Sequence, residues 1–368
     1  METFDSLNQF TLRVKERVQP DGRYAIGLRL SDRAARELSQ ATRLLEFQRW
    51  LDQHECYVFT INGFPFGQFH GTRVKEQVYQ PDWMDPQRLD YTKRLFDLLA
   101  ALVPLEVEGS VSTLPGSLKV FITTQEQERA IRDNLWSCVE HIAKVSECAG
   151  RRLRLGVEPE PLGWFENSAE TVKFFEQLRD EHPGDARLDT HLGVNYDTCH
   201  FAVEYEEPAA ALERFQRHGI RLCKIHLSDG LKLRPSTVAL KQLAPFADSI
   251  YLHQVIIRRA DGSLTRFCDL GPALSSVRTA SLEPGDEWRV HFHVPLHSEL
   301  TGELNTTEDH VLGLLEFLQA QPQLCAHLEI ETYTWAVLPE PLRSRDVTDQ
   351  VVAEYDWTLL QLRAHGLA

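Results

Sequence analysis

Residues 192–203 read "LGVNYDTCHFAV". A short apolar, β-favouring run meets Asp197 and Thr198, residue types that begin helices by accepting hydrogen bonds from exposed backbone amides. A strand passing straight into a helix is the unit of parallel α/β folds, because parallel neighbours need a crossover between them. The unit recurs on both sides of this stretch. Further β-rich runs occupy 24–30, 57–64, 108–114, 153–159, 222–228, 289–295 and 326–332. Amphipathic stretches, apolar at spacings of three and four, occupy 85–103, 128–150, 168–182 and 208–219. Gly150 and Gly219 stand where two of these helices should stop.

Such alternation over most of the chain predicts parallel strands joined by right-handed crossovers. About eight strand-helix units, with no glycine-rich dinucleotide loop, favour a closed (β/α)8 TIM barrel over an open sheet. The barrel is expected to be one domain over residues 1–368. Residues 249–271, "SIYLHQVIIRRADGSLTRFCDLG", break the rhythm as two strands around "ADGS". They predict a β-hairpin insertion on the loop side of the barrel, after the strand carrying His226.

Composition narrows the function classes. The chain has 368 residues and a net charge of -15. A surface built to neutralise nucleic-acid phosphates is normally basic, so no nucleic-acid partner is expected. No apolar run is long enough to span a bilayer, and the start lacks the pattern of a secretory signal, so we expect a cytoplasmic protein without membrane insertion. The seven cysteines form no CxxC pair, which excludes finger-type structural zinc and suits a reducing compartment.

In a TIM barrel the active site lies at the C-terminal ends of the strands. Here "LRLGVEPEP" ends in Glu158 and Glu160, and "LGVNYDTCH" in Asp197 and His200. "LCKIHLSD" ends in His226 and Asp229, and "AHLEIETYTW" in Glu329 and Glu331. His253 lies in the insertion, and "RVHFHVPLH" adds His291, His293 and His297. Each feature alone has an ordinary structural reading: Asp197 and Thr198 as a helix cap, a strand histidine as a hydrogen-bonded core residue. Four ordered strand ends are harder to dismiss. Carboxylates losing hydration at a barrel mouth need partners, and few lysines or arginines lie at these ends. A divalent cation held by two Glu, one Asp and one His would supply the charge. Mixed oxygen and imidazole ligands suit manganese, zinc, cobalt or iron better than calcium.

The strings "GVEP", "DTCH", "KIHLSD" and "LEIET", in this order, resemble the xylose-isomerase-like TIM barrels, the superfamily of sugar isomerases, sugar epimerases and endonuclease IV-type enzymes. "FTINGFPFGQFHG" (59–71), "YQPDW" (79–83), "EPEP" (158–161) and "ETYTW" (331–335) look like the EboE group of metabolite traffic proteins. That group carries one more strand, with a "YCTN"-like motif, ahead of the helix at which this chain opens.

The resemblance implies metal ligands Glu158, Asp197, His226 and Glu331, with Glu331 preferred to Glu329. It implies an isomerase or epimerase acting on a sugar-like or polyol metabolite, with the metal stabilising an enediolate. Glu158 and Glu331 would be the catalytic pair, one removing and one returning a proton. His200, Asp229, His253 and His293 would bind substrate, with Asn62 and His70 at the same mouth, although an Asn62-Gly63 turn explains that segment equally well. Phe64, Trp164 and Trp335 would offer an apolar wall. Two other readings are carried forward. Surplus histidines would suit a multi-metal phosphoesterase of the endonuclease IV type. A non-catalytic barrel would bind a metabolite and deliver it to partners in an export pathway.

Overall fold

The computed structural model describes residues 2–67, 69, 73–277, 283, 285–340, 342–343 and 346–368. Seven strands form one parallel sheet: β1 (Tyr24–Arg29), β2 (Cys56–Asn62), β3 (Gly109–Thr113), β4 (Leu153–Val157), β5 (Leu192–Asp197), β6 (Leu222–Leu227) and β12 (Leu328–Ile330). They follow one another in chain order around a nearly closed barrel, with helices on the outside. Strands β3, β5 and β6 are buried along their whole length and β2 and β4 nearly so, as strands covered on both faces should be, whereas β1 alternates and β12 is half-buried.

The helices start and stop where their sequences direct. Helix Gln125–Ala149 opens with a capping box between Thr124 and Gln127. It ends on Gly150, whose φ of 62° lies in the left-handed region that side chains disfavour. Helix Pro86–Leu102 places proline at its first position, where no amide hydrogen is needed, and Asp85 caps it.

The stretch between β6 and β12 bears out one expectation and corrects another. The hairpin is present, as β8 (Val255–Arg258) against β9 (Leu264–Phe267), but it is part of something larger. With β7 (Asp229–Leu233), β10 (Glu287–Val294) and β11 (Leu304–Thr306) it builds a five-stranded antiparallel sheet. Residues 289–295, expected as a barrel strand, belong to that sheet, where β10 pairs antiparallel with β7 and β8. Among the described residues the barrel sheet therefore has seven strands, where about eight strand-helix units were expected. The second sheet has its own apolar cluster around Trp288, Val290, Phe292 and Phe246. That cluster explains why period-two alternation in "RVHFHV" could not tell the two settings apart. All seven cysteines are free thiols, and no helix of the described residues is long and apolar enough to cross a membrane.

Candidate functional site

Register brings the polar residues to one end of the barrel. Asp197 is paired across the β5–β6 ladder with His226, and His226 across the β6–β12 ladder with Glu329. Paired residues of parallel strands share a face, and alternation returns that face every second residue. Asn195, Lys224 and Glu331 thus join the inward set. Glu158 stands just past the end of β4.

One ring nitrogen lies at the centre. His226 Nδ1 is 2.7 Å from Glu331 Oε2, 3.3 Å from Glu158 Oε1 and 3.6 Å from Asp197 Oδ2. Donor atoms of these four residues all lie within 4.8 Å of one another. Three carboxylates around one buried imidazole need a positive charge among them, either a ring proton or a cation. Burial works against charging His226, but Glu331 and Glu158 outweigh it and hold its pKa well above the usual histidine value. Burial lifts Glu331 to about 7, opposed by His226 and assisted by Glu158. For Glu158, burial is overcome by His226 and His200, and its pKa falls below the ordinary range.

Asp197 reconciles the structural and functional readings of its segment. Its Oδ1 caps helix Thr198–Val203 by accepting from the His200 amide at 3.1 Å, and accepts from Ser228 Oγ at 2.6 Å. Its Oδ2 is buried and has no hydrogen-bond partner.

Neighbouring groups fix the cluster. Asn62 Nδ2 donates to Glu331 Oε1 at 2.8 Å, and Asn195 Nδ2 donates to Glu158 Oε2 at 2.7 Å. Glu329 lies 3.0 Å from His226 Nε2 and 2.5 Å from Lys224 Nζ. Against the cost of burial, Lys224 and then His226 hold the Glu329 carboxyl at about 2. Glu329 is thus committed to protein partners, while Glu331 faces the cluster.

A second group of imidazoles adjoins the first. His200 Nε2 is 3.1 Å from His291 Nε2, which is 3.0 Å from His293 Nε2. Burial, with the neighbouring His200 and His293, drives His291 well below the usual histidine range; burial lowers His293 to about 4. Burial raises Glu160, beside them, to about 7. Both groups open on a cavity of about 380 Å³ whose wall includes Arg29, Phe64, Phe69, Tyr251, Tyr333 and Trp335.

Of the residues expected from sequence, Glu158, Asp197, His226, Glu331, His200, His293 and Asn62 converge here. Asp229 and His253 belong to neither cluster. Asp229 is in β7 and accepts from Thr307 Oγ1 at 2.8 Å. His253 bonds the His291 carbonyl through Nδ1 and Asp248 through Nε2, so it braces β10. Both lie in or beside the second sheet, which strand-end reasoning on a simple barrel does not anticipate. His70 falls outside the described residues. Phe64 and Trp335 line the cavity, whereas Trp164 packs on Phe165 and Phe174. Lys224 and Asn195 were missed as neighbours of the site, although their i, i+2 spacing to His226 and Asp197 was the available signal.

No family model matches the chain, and no curated protein matches it. Solved structures do. A xylose isomerase domain protein from Planctomyces limnophilus superposes with a TM-score of 0.51 at 11% identity, covering 94% of this chain and 99% of that one. A xylose isomerase-like TIM barrel protein from Mycobacterium smegmatis, in complex with magnesium, gives 0.47 at 14% identity over 97% and 88% of the two chains. The probable 3-DHS dehydratase AsbF of petrobactin synthesis from Bacillus anthracis gives 0.47 at 12% identity over 95% and 92%. At this identity the first of these likenesses speaks to the fold alone: a TIM barrel.

Proposed function

We propose that this protein is a divalent-metal-dependent isomerase or epimerase acting on a small sugar-like or polyol substrate. The observation that carries the reading is the convergence of Glu158, Asp197, His226 and Glu331 at the barrel mouth, with the buried Asp197 Oδ2 lacking any hydrogen-bond partner. The donor set fits a cation such as manganese, zinc, cobalt or iron: three carboxylates and one imidazole, braced by Asn62, Asn195 and Glu329. When bound, the cation supplies Lewis acidity toward adjacent substrate oxygens.

The chain's own groups do the rest. Glu331 and Glu158, both on the cavity wall, remove a proton from carbon and return it. Asn62 and Asn195 each hold one oxygen of these carboxylates, which fixes the direction of the other. His200 and His293 present nitrogen to substrate oxygens, while Phe64, Phe69 and Trp335 cover the apolar edge of the molecule and keep water from the reacting carbon.

The test is exchange of substrate carbon-bound hydrogen with solvent deuterium across a panel of ketopentoses and ketohexoses. Exchange that disappears in both Glu158→Gln and Glu331→Gln supports the reading. Tight binding of a panel member without any exchange would favour instead the metabolite carrier suggested by the EboE-like strings, with delivery to export-pathway partners. The extra imidazoles His200, His291 and His293 favour a second enzymatic reading, hydrolysis of a small phosphate ester, which phosphate release from such esters would reveal.

A further inference from the structure

Arg29 is the last residue of β1, where that strand opens on the cavity. Across the β1–β2 ladder it pairs with Asn62, the residue whose side-chain amide holds Glu331. Paired residues of parallel strands share a face, so Arg29 stands at the mouth beside the Glu331 carboxylate. Among the described residues that line the cavity, Arg29 is the only lysine or arginine, against four glutamates.

A guanidinium in this position is costly. Burial lowers the Arg29 pKa despite the opposing pull of Tyr91, Tyr251 and Glu331. An aromatic collar holds it in place. The guanidinium carbon lies 4.3 Å from the centroid of the Phe69 ring. Phe69 meets Tyr251 at 5.0 Å and Tyr333 at 5.2 Å, and those two rings meet at 5.1 Å. Three rings in mutual contact resist deformation, and stacking on one of them sets the plane of the guanidinium. The wall does not need this charge for its own balance. Glu329 has Lys224 as its counter-charge, while Glu158 and Glu331 converge on His226.

We propose that Arg29 sets the substrate class: a sugar acid, whose terminal carboxylate pairs with the guanidinium while its carbonyl and adjacent hydroxyl face Glu158 and Glu331. Five N–H donors let an arginine keep its place in a wall and still receive a carboxylate through a bidentate pair. Elsewhere the acid-lined mouth repels an anion, so the charged end of the substrate has one seat. A planar carboxylate meets the planar fork edge to edge, whereas a tetrahedral phosphate takes donors from several directions, in barrels commonly from a helix N-terminus. A cavity of about 380 Å³ lies at the small end of ligand sites and suits one sugar-sized molecule. The inference rests on the isomerase reading and deepens it, from any small polyol to a ketouronate.

The manganese-loaded full-length protein is offered ketohexoses, the matching ketouronates and the matching ketose phosphates. Binding is followed by calorimetry and turnover by deuterium exchange, so recognition and chemistry are read apart. The wild type should favour ketouronates in kcat/KM by roughly 10–100-fold, the effect of a hydrogen-bonded charge pair. Arg29→Gln should lose this preference, mostly through KM, and Arg29→Lys should recover part of it. A loss shared equally by acids and neutral sugars would mark Arg29 as structural and overturn the proposal. Where Arg29→Gln does not fold, the wild-type ranking decides: ketoses or ketose phosphates ahead of ketouronates, or no binding of any acid, overturns it. Arg29-dependent binding of ketouronates without exchange keeps the carboxylate site and sinks the isomerase reading. Exchange confined to neutral ketoses does the reverse.

Discussion

Asn62 Nδ2 donates to Glu331 Oε1 at 2.8 Å, tying the end of the second barrel strand to the residue that follows the last. The bond crosses the barrel mouth and aims the other Glu331 oxygen at His226. Removing such a bracing group costs metal sites roughly 10–100-fold in affinity. Asn62→Ala should weaken cation binding by about that factor, measured by competition with a chromogenic chelator. An affinity equal to wild type would show that Glu331 needs no such brace.

Glu329 and Glu331 lie two residues apart and should respond oppositely. Glu329 neutralises the fully buried Lys224, so Glu329→Ala leaves an unpaired interior charge and should destabilise the fold by about 3–5 kcal/mol. Glu331→Gln should abolish metal binding with a smaller loss of stability. Urea unfolding beside metal counting separates the two. Equal stability losses would mean that the division of labour is wrong.

Gly27 is the residue that makes room for Glu329. A Cβ there would stand 1.7 Å from Glu329 Oε1. The carboxylate cannot swing away without leaving Lys224 and His226. Gly27→Ala is expected to cost about 1–3 kcal/mol in overpacking. It should also lower metal affinity, because the His226 ring loses its Nε2 anchor. Denaturant midpoints and the same chelator competition check both parts.

Cation removal should lower thermal stability. A ligand held by the native state alone stabilises by about 2.7 kcal/mol at a hundredfold excess over its Kd. Melting with excess zinc or manganese should therefore exceed melting after chelation, and Asp197→Asn should erase the difference. A difference that persists in Asp197→Asn would place the cation elsewhere.

Glu354, bonded to the residue that follows Glu331, predicts a pH dependence of its own. It lies in helix Val347–Ala364, fully buried, and accepts from Thr332 Oγ1 at 2.5 Å and from the Leu296 amide at 3.2 Å. Burial raises its pKa from 4.5 to about 7. The folded state therefore holds this proton more tightly than the unfolded state. Its stabilisation is complete below pH 4.5 and is lost as pH rises through about 7. The slope is about 1.4 kcal/mol per pH unit, on the order of 3 kcal/mol in all. Glu354→Gln should flatten the stability profile across that window. An unchanged slope in urea titrations at successive pH values would refute the assignment.

Period and order determined much of this protein. Strand runs alternating with amphipathic stretches specify a parallel barrel, because buried strands and half-buried helices leave different apolar spacings. The order of strand ends then predicts which carboxylates and imidazoles share the mouth. Glu158, Asp197, His226 and Glu331 come together, since in a barrel every strand's C-terminal end faces the same way. Only the tertiary structure could decide the rest. Period-two alternation in residues 289–295 is the same whether a strand closes a barrel or pairs antiparallel beside it. What differs is the partner strand, which is distant in sequence. That choice took Asp229 and His253 away from the cavity and brought His291 and His293 to its floor. It also set the hydrogen bonds that leave three imidazole nitrogens facing one another, a relation that exists only once two sheets have packed.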